Sequence, residues 1–376
     1  GAGGQLIFGA GNNGGDGNSV SVSTTESLTT TNNYSHGIVA QSIGAGGGLS
    51  DLAVQSVTFG SSSTAQGVGG DVTVQASGPI TTAGTNAIGV VAQSIGGGGG
   101  LAVMNDNGVA EFGGDASSNP KGGTVFVSLV SSPTMWATIN TTGKASPAVL
   151  AMSIGGGGGA GLYETAPTTT SADPFLGSGD GGDVSITISN STVSTQAPGS
   201  DAVVAVSTGN GGGLIVSTSG TTSVGTDTGS GGVISISISG DSTVSTNEAT
   251  PIVIFGGTGQ SKNPNTITIE DGSSIINTQY ENAPDTYYDT TNASKNDWSI
   301  YAPDAYTNVT NYGVIVGNIL LGSDCSGEIY NYGQLSATGL CVADDSLQNY
   351  GILYPSGSGS TAGLDIDGSL KHEVGG

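Results

Sequence analysis

Residues 88–100 read IGVVAQSIGGGGG, a strand-like strip that runs into five consecutive glycines. The same phrase stands at Gly37 as GIVAQSIGAGGG and at Ala148 as AVLAMSIGGGGG. It weakens to AVVAVSTGNGGG from Ala202 and to PIVIFGGTGQ from Pro251. The matched positions Ser42, Ser94, Ser153, Ser207 and Gly256 are 52, 59, 54 and 49 residues apart. Self-similarity at such a period marks a solenoid, in which each repeat buries its apolar side only by stacking on its neighbours.

A second strip precedes each of these phrases. It reads GNSVSVS from Gly17, GGDVTVQ from Gly69, GGTVFVS from Gly122, GGDVSITIS from Gly181 and GGVISISIS from Gly231, with NTITIE from Asn265 as a sixth copy. Val184, Ile186 and Ile188 alternate with Ser185, Thr187 and Ser189. Period two with β-branched residues on one side is a half-buried strand. A shorter strip lies between, as STVST around Val193, STVST around Val244 and SSIINT around Ile275. Each unit is therefore strand, turn, short strand, turn, strand. Between Ile238 and Ile269 the spacing falls to 31 residues, which sets the bare coil at about 30.

The longer units carry inserts that all leave the coil after the glycine run. In a solenoid, equivalent inserts project from one face. They carry Phe59, Phe112, Tyr163 and Phe175, rings expected either to meet a ligand or to cover one edge of the coil. Residues 277–308 change character, with Tyr, Asn and Asp prominent, and read as an excursion carrying Tyr287, Tyr288 and Trp298. Those three rings are further candidates for a sugar-binding surface, or for packing the loop onto its neighbour.

A tighter repeat then begins. Asn311-Tyr312-Gly313 returns as Asn331-Tyr332-Gly333 and Asn349-Tyr350-Gly351, at intervals of 20 and 18 residues. Stacked asparagines can bond one another through amide donor and acceptor, and the adjacent tyrosines can stack as a ladder. Cys325 and Cys341, 16 residues apart, are either one disulfide or two buried thiols.

Composition narrows function more than it names it. Among 376 residues there are 69 glycines, 9% charged residues and a formal net charge of −24, with five Lys and no Arg. A nucleic-acid binder needs cations to neutralise phosphate, and this chain has almost none. His36 and His372 have no partners at zinc-ligand spacing. No nucleophile-turn motif is present, so the expectation is no enzymatic activity, no catalytic residues, no metal and no cofactor. Paired acids such as Asp180 with Asp183, or Asp344 with Asp345, keep a glycosidase open as the alternative, and a lyase is the other carbohydrate-active option. The glycine turns at Gly177 and Asp365 would be the places for structural calcium.

The AQSIGGGGG phrases and the Asn-Tyr-Gly coils together resemble the passenger regions of bacterial type V autotransporters, over roughly residues 14–368. That resemblance implies a β-helix exported through a C-terminal outer-membrane barrel lying outside this sequence, and an extracellular or cell-surface location. Passengers of this kind include adhesins, filaments and proteases. The sequence therefore predicts an all-β fold, a right-handed parallel β-helix with Gly-rich loop insertions. Its predicted parts are a long-repeat β-helix over 1–276, an excursion over 277–308 and a short-coil β-helix over 309–376. The expected role is a secreted structural or adhesive module, self-associating or bound to surface glycans or proteins, with a passive spacer as another option. Neither nucleic acid nor insertion into a membrane is expected.

Overall fold

The computed structural model describes residues 5–8, 14–59, 67–112, 119–165, 179–224, 230–257, 263–279, 298–304, 306–322, 325–341, 347–355, 365–367 and 370–372. Over these residues the chain is a parallel β-helix with three faces. Face 1 holds ten strands, from Val20–Thr24 through Val184–Ser189 to Leu370–His372, in order of sequence. Face 2 holds nine short strands, from Leu28–Thr30 to Ile352–Pro355. Face 3 holds nine, from Ile38–Ile43 to Asp365–Asp367. Each strand pairs in parallel with its counterparts one coil away. Val127 stands between Val74 and Ile186, and Ile186 between Val127 and Ile236.

Faces 1 and 2 are dry on one side only. Val184, Ile186 and Ile188 are fully buried, and their serine and threonine neighbours point outward. Rows of Val, Ile, Leu and Ala from all three faces form one continuous core along the axis. Each fully buried Val or Ile contributes about 1.5–3 kcal/mol relative to exposure.

Face 3 differs, because all six residues of Val90–Ile95 and of Val149–Ile154 are buried. The inserts explain this. They leave the coil as strands rather than as free loops. Gly47–Phe59, Gly99–Phe112, Gly158–Leu162 and Gly213–Ser217 pair in parallel as an outer sheet against face 3. Gln5–Phe8 flanks one edge, and Gly220–Val224 closes the other by antiparallel pairing. Leu101, Val103, Leu162, Leu214 and Val216 thus meet Val91, Leu150, Met152 and Phe255 in a second core. Of the two alternatives for the inserts, covering the coil is what these strands do.

The glycine runs are where the chain turns from face 3 into the outer sheet. Gly97 and Gly98 have φ of 83° and 90°, a region that L-residues avoid. A Cβ on Gly99 would lie 1.8 Å from the carbonyl oxygen of Gly158, so the backbones of successive coils touch there.

The serine of the repeated phrase is a latch. Ser94 Oγ donates to Gly70 O at 2.7 Å and accepts from Gly123 N at 2.7 Å. Ser42, Ser153 and Ser207 make the equivalent pairs of bonds. Each ties the end of a face 3 strand to the start of face 1 in its own coil and in the next. At Gly256 the serine is lost, and Asn265 substitutes for it, accepting from Ile234 N at 3.0 Å and donating to Gly256 O at 3.0 Å.

One column at the start of face 1 alternates in charge. Asp71 and Asp183 stand in alternate coils and accept the N–H of the following coil, Thr124 and Val233, each at 2.8 Å. Thr124 and Val233 occupy the same column between and after them.

The expected excursion over 277–308 ends earlier than the sequence suggests. Trp298–Ala302 is a face 3 strand, pairing with Ile252–Gly256 and Asn318–Leu321. Thr307–Asn311 is a face 1 strand. Polar neighbours hide these strands in the sequence, since only Trp298, Ile300, Ala302 and Val309 among their residues are buried and apolar. Cys325 and Cys341 are joined in a disulfide, Cα to Cα 4.8 Å, which fastens one coil to the next at the end of face 3.

Candidate functional site

Tyr163 and Trp298, expected as ligand-facing rings, lie inside the molecule. Tyr163 is 1% exposed, its hydroxyl donates to Gly108 O at 3.1 Å, and burial pushes its pKa up to about 12. Trp298 is 3% exposed and packs beside Tyr301, ring centroids 6.1 Å apart. Both are core because of the strands they adjoin: Tyr163 follows directly on Gly158–Leu162, and Trp298 opens Trp298–Ala302. Phe59 and Phe112 stand opposite each other in the outer-sheet register. Phe175, Tyr287 and Tyr288 lie outside the described residues.

Among the described residues the large exposed rings are elsewhere, on the edge where face 1 turns into face 2. Trp136 is 63% exposed, and Tyr312, Tyr332 and Tyr350 are 40–47% exposed. Tyr354, at 49%, stands beside them on face 2. This edge is remote in the coil from the inserts, which leave after face 3.

The tyrosine ladder is built by the Asn-Tyr-Gly repeat. Asn311 Nδ2 donates to Asn331 Oδ1 at 2.7 Å, and Asn331 Nδ2 to Asn349 Oδ1 at 2.6 Å, all three buried. The interior amides fix the coil spacing, so the next residue in each coil stacks outside. Tyr312 and Tyr332 have centroids 4.9 Å apart at 12°, and Tyr332 and Tyr350 5.0 Å apart at 7°. A Cβ on Gly333 would sit 2.1 Å from Gly313 O, so nothing larger fits below the ladder. Rings stacked this way cover one another's faces and present their edges and hydroxyls to solvent.

Sequence reasoning missed Trp136, although the repeat carries a signal for it. Ala76 and Leu129 are in register, as are Ile80 and Ile139. The third coil therefore spends six more residues on this turn than the second. The extra residues form a closed hairpin. Ser132 N donates to Met135 O at 2.9 Å, and Ala137 N donates to Ser131 Oγ at 2.7 Å. Ser131 Oγ in turn donates to Asn190 O of the next coil. Trp136 is thus an exposed ring on a fixed support.

The surfaces flanking this edge are nearly free of charge, in a chain of net charge −24. From Thr29 to Tyr354, the outward positions of the face 2 strands hold Thr, Asn, Ser, Ile, Val, Gln and Tyr, with no charged side chain among the described residues. Within the face 1 strands, between Ser21 and Gln348, the one charged outward side chain among the described residues is Glu328, while Asp71 and Asp183 stand exposed just before two of these strands. It accepts from Tyr330 Oη at 2.7 Å and from Asn308 Nδ2 at 3.4 Å. That bond to Glu328, with burial, pushes the Tyr330 phenol up to about 12, and burial followed by Glu328 raises Tyr306. Along the edge itself the charged residues are Glu26, Asp241, Glu270 and Asp271, all acidic.

Of the remaining candidate chemistry, Asp344 and Asp345 lie outside the described residues, and Asp180, Asp183 and His36 are engaged structurally. Asp180 is bonded by Ser230, and Lys121 lies 3.0 Å away; these hold its carboxyl below the usual range. Asp183 accepts a backbone N–H, as above. His36 Nδ1 accepts from Ile88 N at 3.1 Å. Among the described residues, no three His, Cys, Asp or Glu side chains lie close enough together to hold a metal ion. A shallow groove of about 580 Å³ lies between the turns at Thr85 and Lys144 and the insert end at Glu164. Compared with known proteins, the chain matches no family model, no curated protein and no solved structure.

Proposed function

We propose that this chain is a cell-surface β-helix module of the autotransporter-passenger kind, structural and adhesive, whose contact surface is the edge between faces 1 and 2. The observation that carries the reading is the segregation of exposed rings. Trp136, Tyr312, Tyr332 and Tyr350 all stand on one edge, between two hydroxyl-rich faces. Aromatic rings on a rigid support, ringed by polar neighbours, are the usual anchors of a contact surface. The disulfide between Cys325 and Cys341 fits an oxidising, extracellular location. Partners on this reading are surface glycans, surface proteins or a second copy.

The test is adhesion of the purified chain to a panel of bacterial and host cells. The wild type binds at least one cell type, and Trp136→Ala combined with Tyr332→Ser abolishes that binding while the melting curve stays unchanged. Binding that survives both substitutions would remove the edge from consideration, and no binding to any cell would leave a spacer as the better description.

A further inference from the structure

We infer that the edge between faces 1 and 2 takes an uncharged linear polysaccharide laid along the helix axis. This rests on the reading of that edge as the contact surface and adds the chemical class of its ligand.

Length argues for a polymer. Trp136 is in the third coil of face 1 and Tyr312 in the seventh. At about 4.8 Å per coil the two rings are about 19 Å apart along the axis, and Tyr350 is about 10 Å further. One ligand that meets both Trp136 and the ladder must be extended. An extended pyranose chain advances by nearly one coil per sugar, so its hydroxyls keep step with the coils over the whole distance.

Chemistry argues for sugar. A pyranose ring has an apolar CH face, which the exposed indole of Trp136 suits, and a rim of hydroxyls. Beside Trp136, face 2 presents Asn140, whose Oδ1 accepts from Ser194 Oγ at 3.2 Å and Gln196 Nε2 at 3.3 Å. These side chains are already held in place, so a sugar bonding to them finds donors and acceptors that lose little freedom. The ladder adds a row of phenols whose ring centroids are 4.9–5.0 Å apart.

Charge disfavours polyanions and self-pairing. The charged groups on the edge are all carboxylates, which accept from sugar hydroxyls and repel polyanions. A second copy docked edge to edge would set Asp241, Glu270 and Asp271 against like charges, in a chain already at −24. A strongly basic partner would be drawn to these carboxylates, so retardation by polylysine with none by a neutral polysaccharide would overturn the inference.

The test is native affinity electrophoresis in gels containing a soluble β-glucan, xyloglucan, galactomannan or dextran, with alginate and heparin as polyanions. At least one neutral polysaccharide retards the chain, and neither polyanion does. Trp136→Ala weakens that retardation at least tenfold, and Trp136→Phe, which keeps a ring, restores most of it. Tyr332→Ser weakens binding of the long polymer and leaves binding of a short oligosaccharide unchanged. Retardation by no neutral polysaccharide, equal retardation by polyanions, or indifference to Trp136→Ala each overturns the inference. So does a concentration-dependent dimer that Trp136→Ala dissociates. If cell adhesion depends on Trp136 while every neutral polysaccharide fails, the ligand class is wrong and the contact edge stands. If adhesion ignores Trp136 and Tyr332, the edge itself falls.

Discussion

Gly123 donates its backbone N–H to the Oγ of Ser94 at 2.7 Å, across one coil of the helix. The same hydroxyl donates to Gly70 O, so the buried Ser94 satisfies two half-buried backbone groups at once. Ser94→Ala leaves both without this partner. An unsatisfied buried group costs about 1–3 kcal/mol, so the substitution should cost about 2–3 kcal/mol. Ser185→Ala, on the outward side of face 1, should change stability by less than about 0.5 kcal/mol. Urea unfolding of the two variants checks the contrast; equal effects would mean that the latch contributes nothing.

Gly99 and Gly15 should respond oppositely to the same added methyl. A Cβ on Gly99 meets Gly158 O at 1.8 Å, and one on Gly15 meets nothing within 4 Å. Gly99→Ala must push two coils apart, and should destabilise by more than about 3 kcal/mol or prevent folding. Gly15→Ala should be nearly neutral. Soluble yield and thermal melting of both variants decide it.

Reduction of the disulfide should loosen one end of the molecule. Closing a loop of 16 residues stabilises by about 3 kcal/mol in the chain-entropy account. The bridge joins neighbouring coils, and coils far along the axis touch neither of them. After reduction, amide exchange should quicken at Ile319–Leu321 and stay unchanged at Val149–Ile154. Uniform quickening along the whole chain would show a single cooperative unit instead.

High pH should destabilise the chain through phenols that the fold keeps protonated. Tyr163 and Tyr330 both have pKa values of about 12 in the fold, against an ordinary value near 10. A raised pKa means that the fold favours the protonated phenol. That contribution is complete below pH 10, and is lost as pH climbs from 10 through 12. Phenolate absorbance should therefore show late-titrating tyrosines, and Tyr163→Phe should flatten the fall in stability over this window. A fall of the same steepness in that variant would place the cause elsewhere.

Alternation such as Val184-Ser185-Ile186-Thr187-Ile188 was legible because one face meets core and the other water. The Ser-Ile-Gly phrase was legible as a repeat, but its burial on both sides was not. Val90–Ile95 needs both sides dry only because the outer sheet covers it, and that sheet's strands are too varied in sequence to announce themselves. For Tyr163 the sequence left covering and ligand contact both open, since the strand Gly158–Leu162 before it shows no period. The asparagine and tyrosine ladders were readable from spacing, because identical residues one coil apart must meet. What spacing could not show is which rings stay exposed: Trp136 needed the register of Leu129 with Ala76 to reveal the six extra residues that lift it clear.

The alternating aspartates constrain how such a chain can gain or lose length. Thr124 keeps Asp71 and Asp183 two rises apart, about 10 Å, near the reach of screened electrostatics. Excising the third coil alone would make the two carboxylates neighbours at about 4.8 Å, each competing for the same kind of backbone donor. Removing the third and fourth together would leave Asp71 facing Val233, an uncharged neighbour whose N–H takes the place of Thr124's. Losing the second or the fourth coil alone would leave only one of the two aspartates, so this column singles out the third coil as the turn that cannot be dropped by itself.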